Sequence, residues 1–308
     1  MEKRLTRLDL LFALGFLFML IVAVAAFFYG VKVGSTEAES RNAQTSPASA
    51  GDSGQQPANA YQLQDLVSFY HTVFLPYREF VTEWQEEKTK WLGDESVDRS
   101  ASLKELAQTA AGKYEETKIA YVPPVSPLLK DAQNSYLKSL KLYETAFSGQ
   151  AGKANEGTAA LLLDRIGEDA YYKEGLSMGL SAQSLYYDAM IRWAANTDFD
   201  ITPDPVAATS LGLTQWKALP LVKKNALAAR YLQERAVQGL FLPQDLTARI
   251  DTFIASGQAD KMKLRTVSAI ADLLVQTDAV RSGDFLGAKN RFYSKQLLPQ
   301  LPFFFPGG

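Results

Sequence analysis

The chain contains no cysteine. Disulfides, thiolate metal sites, a cysteine nucleophile and a lipid-modified cysteine anchor are excluded together. Histidine occurs once, at His71. As a general base it needs an orienting carboxylate and a nucleophile, and no local motif supplies either, so it reads as an ordinary helix residue. No strand-type alternation persists anywhere, and no segment repeats at a fixed period. There is no glycosylation acceptor of the Asn-x-Ser/Thr type. The glycines are dispersed, without a GxGxxG, a phosphate-binding loop or a Gly-x-Ser-x-Gly elbow. No catalytic residue, cofactor or metal-ligand set is therefore assigned.

What is present begins with an address. Lys3, Arg4 and Arg7 precede residues 10–31, which carry no charge. At ~1.5 Å per residue this run makes roughly 33 Å of helix, enough for a hydrocarbon core of about 30 Å. The far flank mixes Lys32 with Glu37 and Glu39, so the positive-inside tendency places the N-terminus in the cytoplasm and the body outside it. A cleaved secretory signal is the competing reading, with Ala23-Val24-Ala25 as the small-residue site. The apolar run continues through Phe27, Phe28 and Tyr29, which favours a retained anchor. Both readings export the body.

Residues 35–59 are rich in Ser, Ala, Gly, Gln, Asn and Pro without apolar periodicity, the composition of a disordered spacer. As a flexible coil, 25 such residues reach on the order of 28 Å. From Tyr61 the pattern changes. Leu63, Tyr70, Tyr77, Trp84 and Trp91 recur every seven residues, with Leu66, Val67, Val73, Phe74, Phe80 and Val81 between them. That seam predicts a long helix packed in a bundle, kinked or broken near Pro76. Further helices are expected over 102–120, opened by a Ser102/Glu105 capping box, and over 128–147, ended by 148–152. Another is expected over 158–195, interrupted near Gly175 or Gly179. Beyond a proline- and aspartate-rich boundary at 197–205, helices are expected near 214–237, 243–256, 259–282 and 284–295, with Pro243 at a first helical position and Gly257 just past an end.

The expected fold is all-α. It comprises a cytoplasmic segment (1–9), a transmembrane signal-anchor helix (10–31), a disordered linker (32–59), an acidic up-and-down bundle (60–205) and a basic helical segment ending in an apolar Pro/Phe tail (206–308). Residues 60–205 hold 14 Lys/Arg against 22 Asp/Glu, a net of −8, whereas residues 206–308 hold 13 against 7, a net of +6. Either the basic segment docks on the acidic one, or it faces an anionic envelope surface.

Three local patterns invite chemistry. Asp198, Asp200, Thr202 and Asp204 alternate like the start of a calcium loop, but Pro203 stands where glycine is required and Thr209 where a bidentate glutamate is required. Glu86-Glu87, Glu115-Glu116 and Glu168-Asp169 are paired carboxylates of the kind a glycan hydrolase uses, and also of the kind any solvated helix face carries. The tail residues Leu297, Leu298, Leu301, Phe303, Phe304 and Phe305 form an apolar end that either folds back over the bundle or docks into a partner. The functional expectation is a membrane-anchored, extracytoplasmic, non-enzymatic binding module. It contacts the lipid bilayer through residues 10–31, and an envelope protein or anionic envelope surface through its body. Nucleic acid is not an expected partner. The alternative is a carboxylate-dependent hydrolase of cell-wall glycan.

Overall fold

The computed structural model describes residues 59–204 and 211–306. The expected segments 1–9 and 10–31, and the linker as far as residue 58, lie outside these residues. Among the described residues no helix is long and apolar enough to cross a membrane. The architecture is all-α, with one isolated antiparallel bridge between Gly212 and Thr266.

Helix α1 (Leu63–Phe69) runs through a π-helical turn (Tyr70–Phe74) into α2 (Leu75–Gly93). Pro76 explains the turn. It has no N–H for the carbonyl four residues back, and its ring would strike that carbonyl. A π turn inserts one extra residue and widens the coil, here with the Leu75 N–H bonding to the Tyr70 oxygen. The helix thus continues past Pro76 instead of ending. The extra residue also rotates the apolar stripe: Phe74, Tyr77, Phe80, Trp84 and Trp91 are buried, while Leu63 and Tyr70 move to the rim and are half-buried.

Helix α3 (Arg99–Lys118) starts a turn earlier than the Ser102/Glu105 pattern implies. Asp98 is its cap, accepting the Ala101 N–H at 3.1 Å, and Ser102 is buried on the packed face. Helix α4 (Pro127–Ala151) runs through the glycine expected to end it, because Phe147 and Ala151 prolong its buried stripe and Gly149 faces open space. Helices α5 (Ala159–Glu168) and α6 (Ala170–Thr197) are separated at Asp169, not at a glycine. Asp169 caps α6 by accepting the Tyr171 and Tyr172 N–H groups at 2.9 and 3.0 Å. Gly175 and Gly179 lie inside α6; a Cβ at Gly179 would strike the Tyr77 hydroxyl of α2, and one at Gly175 would press on Leu142 of α4 at 3.3 Å.

Helices α1–α2, α3, α4 and α6 pack together as a helical bundle, with α4 packed most extensively on α6 and α3. Its centre is aromatic: Tyr77 meets Tyr136 at 4.3 Å between ring centres, Phe80 meets Tyr143 at 5.3 Å and Trp84 meets Phe147 at 4.8 Å.

The remaining chain forms α7 (Leu213–Ala218), α8 (Leu221–Glu234), α9 (Pro243–Ala255), α10 (Gln258–Lys261), α11 (Val267–Gln276) and α12 (Asp284–Phe292). Pro220 divides the first expected helix into α7 and α8. Pro243 opens α9 as expected, and Gly257, at φ +73°, follows it. Helix α8 packs on α6, and Asp188 and Arg230 form an ion pair of 2.6 Å across that contact. The acidic and basic segments therefore share one core, to which Leu221, Val222, Ala226 and Ala229 of α8 contribute. A second apolar cluster forms around Trp216, Leu227, Leu246, Ile250 and Ile270.

Candidate functional site

The tail folds back on the chain's own core. Leu298, Leu301 and Phe304 are buried, and Leu297, Phe303 and Phe305 pack against them half-buried. The Phe303 ring lies against Tyr70, Phe74 and Tyr187, and Phe304 meets Phe285 edge-on. Lys289 holds the end down, donating to the Phe304 carbonyl at 2.8 Å with its ammonium 3.5 Å above the Phe305 ring.

The other sequence candidates separate. His71 is exposed on the π turn, edge-on to Tyr70. Asp198 accepts the Asp200 N–H in a local turn, and the Thr202 hydroxyl accepts from Lys223. Of the paired carboxylates, Glu87 accepts from Lys90 and Trp91, Glu115 from Lys118, Glu116 from Lys113, and Glu168 from Lys173, while Asp169 caps α6. Among the described residues no group of three or more potential ligands could hold a metal ion.

A convergence that no local motif signals lies in the C-terminal part. Pro220 ends α7 and opens α8, which brings Trp216, Lys217 and Lys224 to one side. Asp245 ties α9 to α12 by accepting the Leu242 and Phe285 N–H groups at 2.9 and 3.0 Å. Six residues along α9 comes Asp251, and Tyr293 follows α12. The Asp251 carboxylate accepts from the Trp216 indole at 2.6 Å, from Lys224 at 3.1 Å on each oxygen, and from the Tyr293 hydroxyl at 2.7 Å. The Lys224 and Asp251 side chains are only 11% and 10% exposed, so the pair is largely removed from solvent screening. The Lys224 ammonium also lies 5.4 Å from the Trp216 ring.

This network borders an open cavity of about 270 Å³ whose lining includes Lys217, Lys224, Asp251, Tyr293 and Gln296, with Leu219, Ile254 and Phe292 as the apolar wall. Burial, and then the adjacent Asp251 charge, push the Tyr293 phenol far above its usual range, so it stays a neutral donor. Asp251, already accepting from three side chains, has little capacity left as a general base. Donors remain to spare: Lys217, the Gln296 amide nitrogen and the further N–H of Lys224. The arrangement suits holding a ligand's acceptor oxygens better than moving protons.

A second polar cluster clamps the bundle to the C-terminal part. The connection between α8 and α9 reaches into the bundle, where Tyr143 donates to the Gln238 side chain at 3.2 Å and Gln85 donates to its carbonyl at 3.0 Å. Arg78 donates to the carbonyls of Gly239 and Leu240 at 3.2 and 3.0 Å. Desolvation lowers the Arg78 pKa and raises those of Tyr77, Tyr136, Tyr143 and Tyr187. Tyr77 and Tyr143 both bond to Gln238, Arg78 to the backbone next to it and Tyr187 to Gln244, so the cluster serves the assembly of the body.

Comparison with protein-family models, with curated proteins and with solved structures returns no match. The site is thus read from its geometry. The sequence offered no signal for it, because Trp216, Lys224, Asp251 and Tyr293 come from four separate elements at unrelated spacings.

Proposed function

We propose that this chain is a membrane-anchored, extracytoplasmic helical binding module, non-enzymatic, that takes an anionic group of a small ligand or of an envelope partner in the Asp251 cavity. Residues 10–31 anchor it, with the N-terminus in the cytoplasm and the helical body outside. The observation that carries the binding reading is the unequal division of hydrogen-bonding capacity. Asp251 already accepts from three side chains, while the neighbouring lysines and Gln296 retain donors beside an apolar wall. The alternative of a carboxylate-dependent glycan hydrolase draws no comparable support, since five of the six paired carboxylates are held in ion pairs or a helix cap.

The test is calorimetric titration of the detergent-solubilised full chain with simple carboxylates, phosphate and acidic glycan fragments, paired with photocrosslinking in cells from position 217. Binding abolished by Lys217→Ala together with Gln296→Ala, in a protein of unchanged stability, supports the reading. Release of soluble fragments from envelope glycan by the purified chain would turn the choice toward the hydrolase.

A further inference from the structure

The chain enters its helical body at one end of the bundle. There the Ala60 carbonyl accepts from the Asn196 amide at 2.9 Å, the Tyr61 N–H donates to the Ser126 hydroxyl at 2.8 Å, and the Tyr61 hydroxyl accepts the Leu128 N–H at 3.2 Å. Three pieces of chain thus meet at this end: the first described residues, the start of α4 with the connection before it, and the last turn of α6. Four large hydrophobics belong to it. Ile119, Tyr121, Val125 and Phe199 are 84, 76, 40 and 97% exposed.

Leu92, Leu161 and Tyr171 are exposed toward the opposite end as well, so what sets this end apart is where the chain enters and how its side chains are held. Their neighbours hold them out. Val122 and Ile201 are buried in the core, anchoring the two segments from which Tyr121 and Phe199 project. Pro123, Pro124 and Pro127 restrict the α3–α4 connection, and buried Ser126 is bonded to Tyr61. Folding back to cover these side chains would break that anchoring.

We propose that this end is a lipid-contact face, with Ile119, Tyr121, Val125 and Phe199 entering the headgroup boundary of a bilayer. The proposal rests on the anchored reading above. The uncharged run at 10–31 is separated from Asn59 by 27 residues, so the chain from the anchor enters the body at this end. The opposite end is about 37 Å away, the length of the 25-residue α4 at ~1.5 Å per residue. As a flexible coil the spacer spans about 28 Å root-mean-square, so the end at which it joins the body is on average the nearer one to the anchor. Aromatic rings on an apolar edge are the side chains that interfaces favour. The charges nearby are mixed, with Lys118 and Lys130 against Asp131, Asp198 and Asp200, so insertion and not attraction to anionic headgroups drives the contact.

The chain's lack of cysteine makes single-site labelling unambiguous. The full chain is reconstituted in phosphatidylcholine vesicles carrying one environment-sensitive dye, at Tyr121→Cys or Phe199→Cys, or at Leu92→Cys or Leu161→Cys near the opposite end. The expected result is blue-shifted emission, quenched by spin-labelled lipid, at 121 and 199 and not at 92 and 161, unaltered between ~0.1 and ~0.5 M NaCl. Vesicle-bound chain with no quenching at 121 and 199, equal quenching at all four positions, or quenching abolished by salt overturns the lipid-contact face and leaves the anchor standing. A chain that fails to cofractionate with vesicles overturns the anchor as well.

Discussion

The phenol oxygen of Tyr77 occupies the space where a Cβ on Gly179 would have to go. Tyr77, from α2, is fully buried, and its hydroxyl bonds to Ser139 of α4 at 2.9 Å. Ser139 in turn donates to the Gly175 carbonyl of α6 at 2.6 Å. One phenol therefore fixes how closely three helices approach, and the glycines on α6 make that approach possible.

Gly179→Ala should consequently destabilise the body by roughly 1–3 kcal/mol, the usual cost of overpacking, although alanine is the better helix former. Gly175→Ala should cost less, since its nearest contacts there would be at 3.3–3.5 Å. Adding Tyr77→Phe to Gly179→Ala should recover part of the loss by removing the colliding oxygen. Urea melts of the four proteins decide it. An unperturbed Gly179→Ala midpoint would show that the helices do not meet this way.

The tail is expected to act as part of the core. Phe304 is completely buried against Phe285, and truncating such a phenylalanine costs about 3–5 kcal/mol. Phe304→Ala should therefore lower the thermal midpoint strongly, and Phe305→Ala only slightly, because Phe305 is half-buried with Lys289 above its ring. Deleting residues 297–308 removes Leu298 and Leu301 too, and should expose enough core to bind a hydrophobic dye. A deletion variant that melts like the full chain would restore the tail to the role of a free docking peptide.

These contacts show what a one-dimensional pattern carries. The seam through Tyr77, Trp84 and Trp91 was legible because a buried helical stripe has a period, and Pro243 and Gly257 because their backbone chemistry is local. The π turn at Pro76 was not, since a proline inside a stripe is compatible with a break, a kink or an extra residue. Gly175 and Gly179 looked like breakers because their service, close approach to Tyr77 and α4, depends on partners in other helices. Asp169 looked like a member of a carboxylate pair and proved to be a cap. The Asp251 network was illegible for the same reason on a larger scale. Its donors occupy positions 216, 224 and 293, and only the packing of α7, α8, α9 and the segment after α12 gives them a common acceptor.

Alkaline pH should act on the fold in two opposed ways. Burial lowers the Lys88 ammonium, 5.1 Å from the Trp84 ring, from the usual 10.5 to about 8. Between those values the unfolded chain binds more protons, so stability should rise with pH over that window. Burial raises the phenols of Tyr136, Tyr143, Tyr186 and Tyr187 well above 10. Above pH 10 the folded chain holds protons that the unfolded chain releases, and stability should fall. Lys223 is shifted downward by burial as well, so the readout is the difference between the native protein and Lys88→Met. The variant should be the more stable at pH 7, and its advantage should shrink as pH climbs past 8. An advantage constant from pH 7 to 10 would mean that Lys88 is not desolvated.

The sharpest expectation concerns Asp251. Replacing it with alanine leaves Lys224 as a largely buried, unpaired cation, and removes the acceptor of Trp216 and Tyr293 at the same time. Breaking one side of such a pair should cost about 3 kcal/mol or more. Lys224→Met with Asp251→Leu removes both charges and should recover much of that loss, because a desolvated pair contributes little net stability over an apolar replacement of similar volume. Tyr293→Phe, which deletes one donor and leaves the pair intact, should cost only about 1 kcal/mol. If the double variant is as unstable as Asp251→Ala, the penalty lies in lost packing around the cavity and not in the stranded ammonium. If it is stable but no longer binds an anionic ligand, the chain retains a costly buried pair for recognition, which is the use its geometry suits.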